Sequence, residues 1–435
     1  MRLTFRLGLA ALVIFMLAVN VSAETYTLEK CVETALQNNY GVLAAKNSYD
    51  ATKWQVYSAY AQVLPAVSTG VYSSENWNPP FFFWEGSRTP HPNPGISKTY
   101  GGSIQFRKTF PGLGMYDYAN IKYNKANRRS AFYDYVSSEK ELVYSIKESY
   151  FNLIKAKMLV DVSKDAVKRG EEQLKVAQSR YDLGSASLSD VLKAKVLRSN
   201  AKLELITADN NVALSKAQLS YSMGIDVIEE IEIVEDFPKT DFDIEYNNAL
   251  NEALSNNPSY RKSGFDLTKA KASLCMAKAN FLPSLSLSLN HRTTVGTSDV
   301  LFDFQQEYAG RTFYFELGYN IFNNLSDASN VITGKKNVNS QKETLENARN
   351  SVALEVKQTF LDVQQNTEKL NLNEESVAAA QEDLNIVREK YNLGAATIIE
   401  VLDAEVSFKE AQINQVQALF DYNLAISRLE KVMGR

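Results

Sequence analysis

Glu400 and Asp403 lie three residues apart in a stretch with helical patterning, so two carboxylates share one helix face. Two acids so close raise each other's pKa and can gather a cation. On spacing alone the same pair is an ordinary solvated helix face. Other chemistry-bearing residues are sparse. His91 falls in a loop and His291 at a strand end, neither with matching partners, and two histidines with two cysteines cannot build a four-ligand zinc site. No metal and no cofactor is expected. The chain has no P-loop, no Gly-x-Ser-x-Gly, no His-Glu-x-x-His and no dinucleotide fingerprint, so no catalytic residue is assigned and an enzyme is not expected.

Composition limits the elements that can position these residues. Among 435 residues, 23 Tyr and 21 Phe stand beside only 19 Gly and 10 Pro, which leaves few turn formers. At 45% hydrophobic residues the chain is neither disordered nor a string of loop-rich β-modules. A net charge of -4 with no basic block excludes a nucleic-acid partner. Arg2 and Arg6 precede an apolar stretch from Leu7 to Val19 that ends in Val21-Ser22-Ala23, the pattern of a signal peptide over residues 1–23. That stretch is shorter than the roughly 20 residues of a spanning helix, the alternative being an uncleaved anchor. Leu28-Glu29-Lys30-Cys31 lacks the small residues of a lipoprotein signal, so acylation is not expected. No other segment holds 18 consecutive apolar residues, and if the mature chain crosses a bilayer, strands must carry it.

The two halves share punctuation. Ala35-Leu36-Gln37-Asn38-Asn39 matches Ala253-Leu254-Ser255-Asn256-Asn257, and Leu64-Pro65 matches Leu282-Pro283, at an offset of 218. Tyr181-Asp182-Leu183-Gly184 matches Tyr391-Asn392-Leu393-Gly394, and Met223-Gly224 matches Met433-Gly434, at an offset of 210. The difference falls where residues 70 to 99 face the shorter segment 293 to 310. Each half then reads helix, strand, loop, strand, helix, with helical blocks over 28 to 64 and 246 to 282. The expected organisation is a first repeat over 24–224, a linker over 225–245 and a second repeat over 246–435. The linker, with Ile231, Ile233 and Val234 among acids, reads as a band around the body of the protein.

Strand patterning is strict in places. Leu285, Leu287 and Leu289 alternate with Ser284, Ser286, Ser288 and Asn290, and Phe313, Phe315, Leu317, Tyr319 and Ile321 alternate with polar residues. In the first half Tyr100, Gly102, Ile104 and Phe106 make one strand, and Val67, Val71 and Tyr72 mark a weaker mate. One apolar and one polar face suit a membrane barrel with a wet interior, although a soluble sandwich would alternate too. Four strands cannot close a barrel, and an open edge in lipid leaves backbone groups unpaired. Two copies would give an eight-stranded barrel whose bore fills with side chains. Three give twelve strands and a water-filled passage, the favoured reading. The segment 73 to 98, with Phe81, Phe82, Phe83, Trp84 and five prolines, reads as an extracellular loop or, alternatively, a ligand-binding one.

After Pro111-Gly112-Leu113-Gly114 a helical pattern runs to about Tyr181, roughly 100 Å at 1.5 Å per residue. Ile146, Leu153, Val160, Val167, Leu174 and Tyr181 recur every seventh residue, as do Val356, Val363, Leu370, Val377, Leu384 and Tyr391. Return helices carry Ala194, Ala201, Ala208 and Ser215, then Ala404, Ala411, Ala418 and Ala425. Such seams pack as left-handed coiled coils. Four columns of helix per chain, twelve in a trimer, would continue a twelve-strand barrel. The offset of 218 sets Cys275 level with position 57, about 39 Å along the helix from Cys31, so two free thiols are expected.

With Arg180-Tyr181-Asp182-Leu183-Gly184 and Ser189-Asp190-Val191-Leu192, then Lys390-Tyr391-Asn392-Leu393-Gly394 and Ile399-Glu400-Val401-Leu402-Asp403-Ala404, the chain resembles the TolC-like outer membrane efflux protein family over nearly all its mature length. The resemblance implies a mainly α fold with a membrane β-barrel: a trimeric 12-strand outer-membrane β-barrel continued by a 12-helix periplasmic α-barrel, four strands per chain, internally duplicated. It implies the outer membrane of a Gram-negative bacterium as location, with extension into the periplasm and contact with outer-membrane lipid. The function implied is an exit duct for efflux or type I secretion, partnered by a periplasmic membrane-fusion adaptor and an inner-membrane transporter. Asp190, Tyr391, Glu400 and Asp403 match the periplasmic gate, and Leu183, Gly184, Leu393 and Gly394 match the tips that meet the adaptor. The arginine that the best-known members place near Ala396 is missing. The competing reading is a periplasmic coiled-coil adaptor or scaffold, which would not need four amphipathic strands.

Overall fold

A computed structural model describes residues 25–92, 94–228, 231–235, 237, 244–295 and 309–435. The expected signal peptide lies outside the described residues, as do much of the linker 225–245 and most of the segment 293–310. The first half runs β1 (Thr25–Tyr26), α1 (Leu28–Asn38), α2 (Tyr40–Ala61), β2 (Ala66–Asn78), β3 (Phe81–Trp84), β4 (Ser87–Pro90), β5 (Gly95–Phe110), α3 (Met115–Asp182) and α4 (Leu188–Met223). Then come β6 (Glu232–Ile233), α5 (Tyr246–Asn256), α6 (Pro258–Ala279), β7 (Ser284–Val295), β8 (Ala309–Gly318), α7 (Ser326–Asn392) and α8 (Ile398–Met433). In each half, two short helices, long strands, one very long helix and a return helix follow in that order. The long helices hold 68 and 67 residues. Contacts divide the chain into two compact units, one comprising residues up to Lys46, Tyr135–Pro258 and Arg349–Arg435, the other Asn47–Asp134 and Ser259–Ala348.

In the first unit the heptad seams are buried at Ile146, Leu153, Val356, Val363, Leu384 and Tyr391, and the alanines 194, 201, 404 and 411 pack inside. Ala177, Val191 and Ala194 join α3 to α4, while Leu384, Ala404 and Phe408 join α7 to α8. Tyr181 departs from the expected seam and is 41% exposed. The helical blocks expected as continuous over 28 to 64 and 246 to 282 are each broken at an asparagine. Asn39 has an extended backbone, its Oδ1 accepts the N–H groups of Gly41 and Val42, and its Nδ2 donates to the Ser222 carbonyl at 3.1 Å. Asn257 likewise donates to the Val432 carbonyl at 3.1 Å. An asparagine side chain that satisfies backbone groups can end one helix and start the next, an option that apolar periodicity does not register. Opposite these asparagines, Gly224 and Gly434 close α4 and α8 in left-handed conformation, where a Cβ would lie within 2.9 Å of the Asn38 and Asn256 carbonyls. The repeated Asn-Asn and Met-Gly pairs are thus the two sides of one contact, made once in each half.

The described part of the linker joins the same unit. β6 pairs in parallel with β1, Ile231 and Ile233 enter the core around Ile146 and Leu153, and Glu232 takes Lys216 at 2.6 Å and Lys157 at 3.4 Å. Cys31 is fully buried in that core, and burial pushes its thiol up to about 12, helped by the charge of Glu29. Both cysteines are free thiols, with Cys275 half-buried. Because thiolate is the nucleophile, alkylation of the native protein without reductant is expected to modify Cys275 before Cys31, and unfolding should expose both. A mass gain that requires reductant, or Cys31 reacting first, would contradict this.

In the second unit β2, β5, β7 and β8 form one antiparallel sheet in that order, with β2 and β8 as its edges. Register sets Val67, Phe106 and Leu289 in a row with Phe313 on one face, and Ala66, Arg107, Ser288 and Tyr314 in a row on the other. The alternation expected of β5, β7 and β8 is therefore present. Two details differ: Tyr72 falls on the polar face, opposite to Val67 and Val71, and β8 ends at Gly318, before Tyr319 and Ile321. The segment 73 to 98, expected as a loop, is mostly strand: β2 and β5 continue to the pair Asn78 and Gly95, and β3 pairs with β4 through a turn at Glu85 and Gly86, both with positive φ. Such a turn favours a hairpin whatever the apolar pattern of its arms. At the base of the sheet Lys108, between Phe106 and Phe110, donates to Asp117 at 2.8 Å and to the Gln62 carbonyl. Among the described residues no helix is long and apolar enough to cross a membrane, and no cluster of potential ligands is arranged to hold a metal ion.

Candidate functional site

The two turns joining α3 to α4 and α7 to α8 are built alike. Gly184 and Gly394 have φ of 76° and 81°, and Ser185 and Ala395 each donate back to the carbonyl five residues earlier at 2.8 Å. Leu183 and Leu393 project at 82% and 85% exposure. Each following helix opens on a capping box, in which the carboxylate at the third helical position and the cap hydroxyl satisfy each other's backbone N–H. Ser187 pairs so with Asp190, whose Oδ2 accepts the Ser187 N–H at 3.0 Å. Thr397 pairs so with Glu400, whose Oε1 accepts the Thr397 N–H at 3.1 Å and its hydroxyl at 2.8 Å. The Ser-x-x-Asp and Thr-x-x-Glu spacings that signal these caps are present in the sequence.

Capping changes the electrostatic expectation for Glu400. The backbone and hydroxyl of Thr397 hold its carboxyl below the ordinary 4.5, with Lys390 assisting, so within one chain its shift is downward rather than upward. Asp403 stands exposed one turn along α8, with its side chain on the solvent side. Arg180 and Asp190 act on Tyr391, whereas Glu400 is engaged by Thr397 and Lys390. Tyr391 is 4% exposed, in a cluster with Ile398 and Val401, and its hydroxyl is buried with no hydrogen-bond partner. Burial pushes its pKa up, and Asp190 adds to the rise while Arg180 opposes it. The Arg180 guanidinium lies over the Tyr391 ring, 4.6 Å from its centre, and donates to the Tyr391 carbonyl. An arginine thus reaches Tyr391 from the other hairpin.

Eleven residues before Arg180 on α3, Arg169 makes a second tie that sequence reasoning missed. Glu405, 6% exposed, accepts Arg169 Nε at 3.0 Å and also Arg388 of α7. Arg169 further lies over the Phe408 ring at 4.9 Å. One buried carboxylate therefore joins three helices. The available signal was an acid beside Ala404 in an otherwise apolar seam.

A family model described as "Outer membrane efflux protein" matches residues 31–225 and 249–435. Outer membrane protein TolC of Escherichia coli is 25% identical over 319 residues, which span 69% of this chain and 62% of that protein's length. A probable efflux pump outer membrane protein, TtgC of Pseudomonas putida, is 23% identical over 400 residues, 88% of this chain and 78% of that one. Among solved structures, the outer membrane protein VceC of Vibrio cholerae superposes with a TM-score of 0.81 at 18% identity, covering 94% of this chain and 96% of that one. The CmeC outer membrane channel of Campylobacter jejuni gives 0.82 at 18% identity, covering 94% and 85%.

Proposed function

The chain belongs to the outer membrane efflux protein family, a family of outer-membrane proteins, and from that premise we propose that it is the exit duct of a tripartite efflux or type I secretion system. In this reading three copies pool their strands into a twelve-strand barrel, and their helices, duplicated in the two halves, continue it as a twelve-helix periplasmic tube. The observation that carries the proposal is the four-stranded sheet with one apolar face, one polar face and two long edges. An edge in hydrocarbon leaves backbone donors and acceptors unpaired, and joining β8 of one copy to β2 of the next removes every edge. Residues 1–23 would direct export, 24–224 and 246–435 would be the repeats, and 225–245 would gird the tube. Asp190, Tyr391, Glu400 and Asp403 would form the periplasmic gate, and Leu183, Gly184, Leu393 and Gly394 would meet the adaptor. The duct performs no covalent chemistry in this reading, and a transporter in the inner membrane supplies energy.

Recovery in outer-membrane fractions as a band that shifts from trimer to monomer on heating, with conductance in planar bilayers, is the expected result. A monomer that stays soluble without detergent would overturn the reading in favour of a periplasmic scaffold.

A further inference from the structure

On the polar face of the sheet, two side chains lie flat across three strands. Tyr72 of β2 opposes Gly101 of β5, which opposes Thr294 of β7. The tyrosine ring occupies the space above Gly101, where a Cβ would come within 2.2 Å of it. Its hydroxyl reaches the Thr294 hydroxyl at 3.2 Å and accepts from Arg292, with Nε at 3.0 Å and Nη2 alongside. The Arg292 guanidinium also lies over the Tyr72 ring, 4.8 Å from its centre. Neighbours in the Arg292 row are Gly70, Ser103 and Gly310, which leave the cation unopposed in that row. Among the described residues the other charged groups of this face are Arg107 and Glu316. Glu316 pairs with Ser286, six residues along β7 from Arg292, or about 20 Å at the rise of a strand.

We infer that Arg292, held by Tyr72 over Gly101, is an anion contact on the wall of the bore, taking the carboxylate, sulfonate or phosphate groups of passing cargo. The inference rests on the duct reading, in which the polar face lines the passage and three copies supply a ring of guanidinium groups, an arrangement that draws anions into a pore. Tyr72 is the positioning residue: its hydroxyl takes up one edge of the guanidinium and its ring supports the plane.

Planar-bilayer recordings of the purified channel, with pyrophosphate added on the barrel side, test it. Arg292→Gln should weaken block by about five-fold at the least, the factor for a single pair of unit charges at about 4 Å in water, and shift the reversal potential toward cations. Arg292→Lys should keep the block, and Tyr72→Phe should weaken it less than Arg292→Gln. Equal block in wild type and Arg292→Gln channels would overturn the inference while leaving the duct intact. Should Arg292→Gln not assemble, unchanged block in Tyr72→Phe overturns it. Failure of the wild type to form channels would sink the duct reading and this inference with it.

Discussion

Glu405→Ala is expected to destabilise the helical unit by about 3–5 kcal/mol, the usual result of removing one member of a buried ion pair and stranding the rest. The size follows from geometry. Glu405 is 6% exposed and accepts two guanidinium groups, Arg169 from α3 and Arg388 from α7, so its removal leaves two cations facing each other near the Phe408 ring. An exposed pair such as Lys202 with Glu171 would give a fraction of that, because water replaces the lost partner. The measurement is the urea midpoint of the detergent-solubilised protein, followed by far-UV circular dichroism. Replacing all three residues with apolar side chains of similar volume should recover most of the loss, since no charge is then buried alone. A Glu405→Ala midpoint equal to wild type would remove the triad from the account of what holds the two hairpins together.

On the proposed gate reading, which sets these acids near the axis, Glu400→Gln combined with Asp403→Ala is expected to raise single-channel conductance and to weaken block by divalent cations by about ten-fold or more, two charges being lost per chain. Glutamine is chosen at 400 because that carboxylate also caps α8 through Thr397, and the amide retains the capping geometry. An alanine there would mix a frayed helix with a lost charge. The acid dependence follows from the lowered pKa of Glu400. A carboxyl depressed in the folded state contributes its cap stability above the ordinary value of 4.5 and loses it as pH falls through the lower folded value, so the tip should hold at neutral pH and fray only below that range. Unchanged conductance and unchanged divalent block would remove both acids from the gate.

Elements governed by a regular period were legible in the sequence. The seams from Ile146 and Val356 gave the long helices, and Leu285, Leu287 and Leu289 gave β7. Elements governed by a single side chain escaped. Asn39 and Asn257 interrupt helices by trading hydrogen bonds with a segment about 180 residues away, which no local window detects. The hairpin of Phe81 to Pro90 carries aromatic residues on both faces, so its alternation is invisible and its turn decides. At the tips, Gly184, Gly394 and the projecting leucines were readable from the repeat. The tie of Arg180 to Tyr391 was not, because it depends on which hairpin faces which. The same limit hid Glu405, whose partners sit on two other helices.

The two edges of the sheet come from opposite halves of the chain, β2 from the first and β8 from the second. In a ring of three each joint would then unite unlike surfaces, and one defective subunit would spoil a seam that its sound neighbours cannot mend. Co-synthesis of wild type with a copy carrying a proline inside Arg311–Phe315 should therefore be dominant. With equal supply of the two, about one ring in eight would escape the damaged copy, so a cell carrying both alleles would resemble the null rather than the carrier of a half dose.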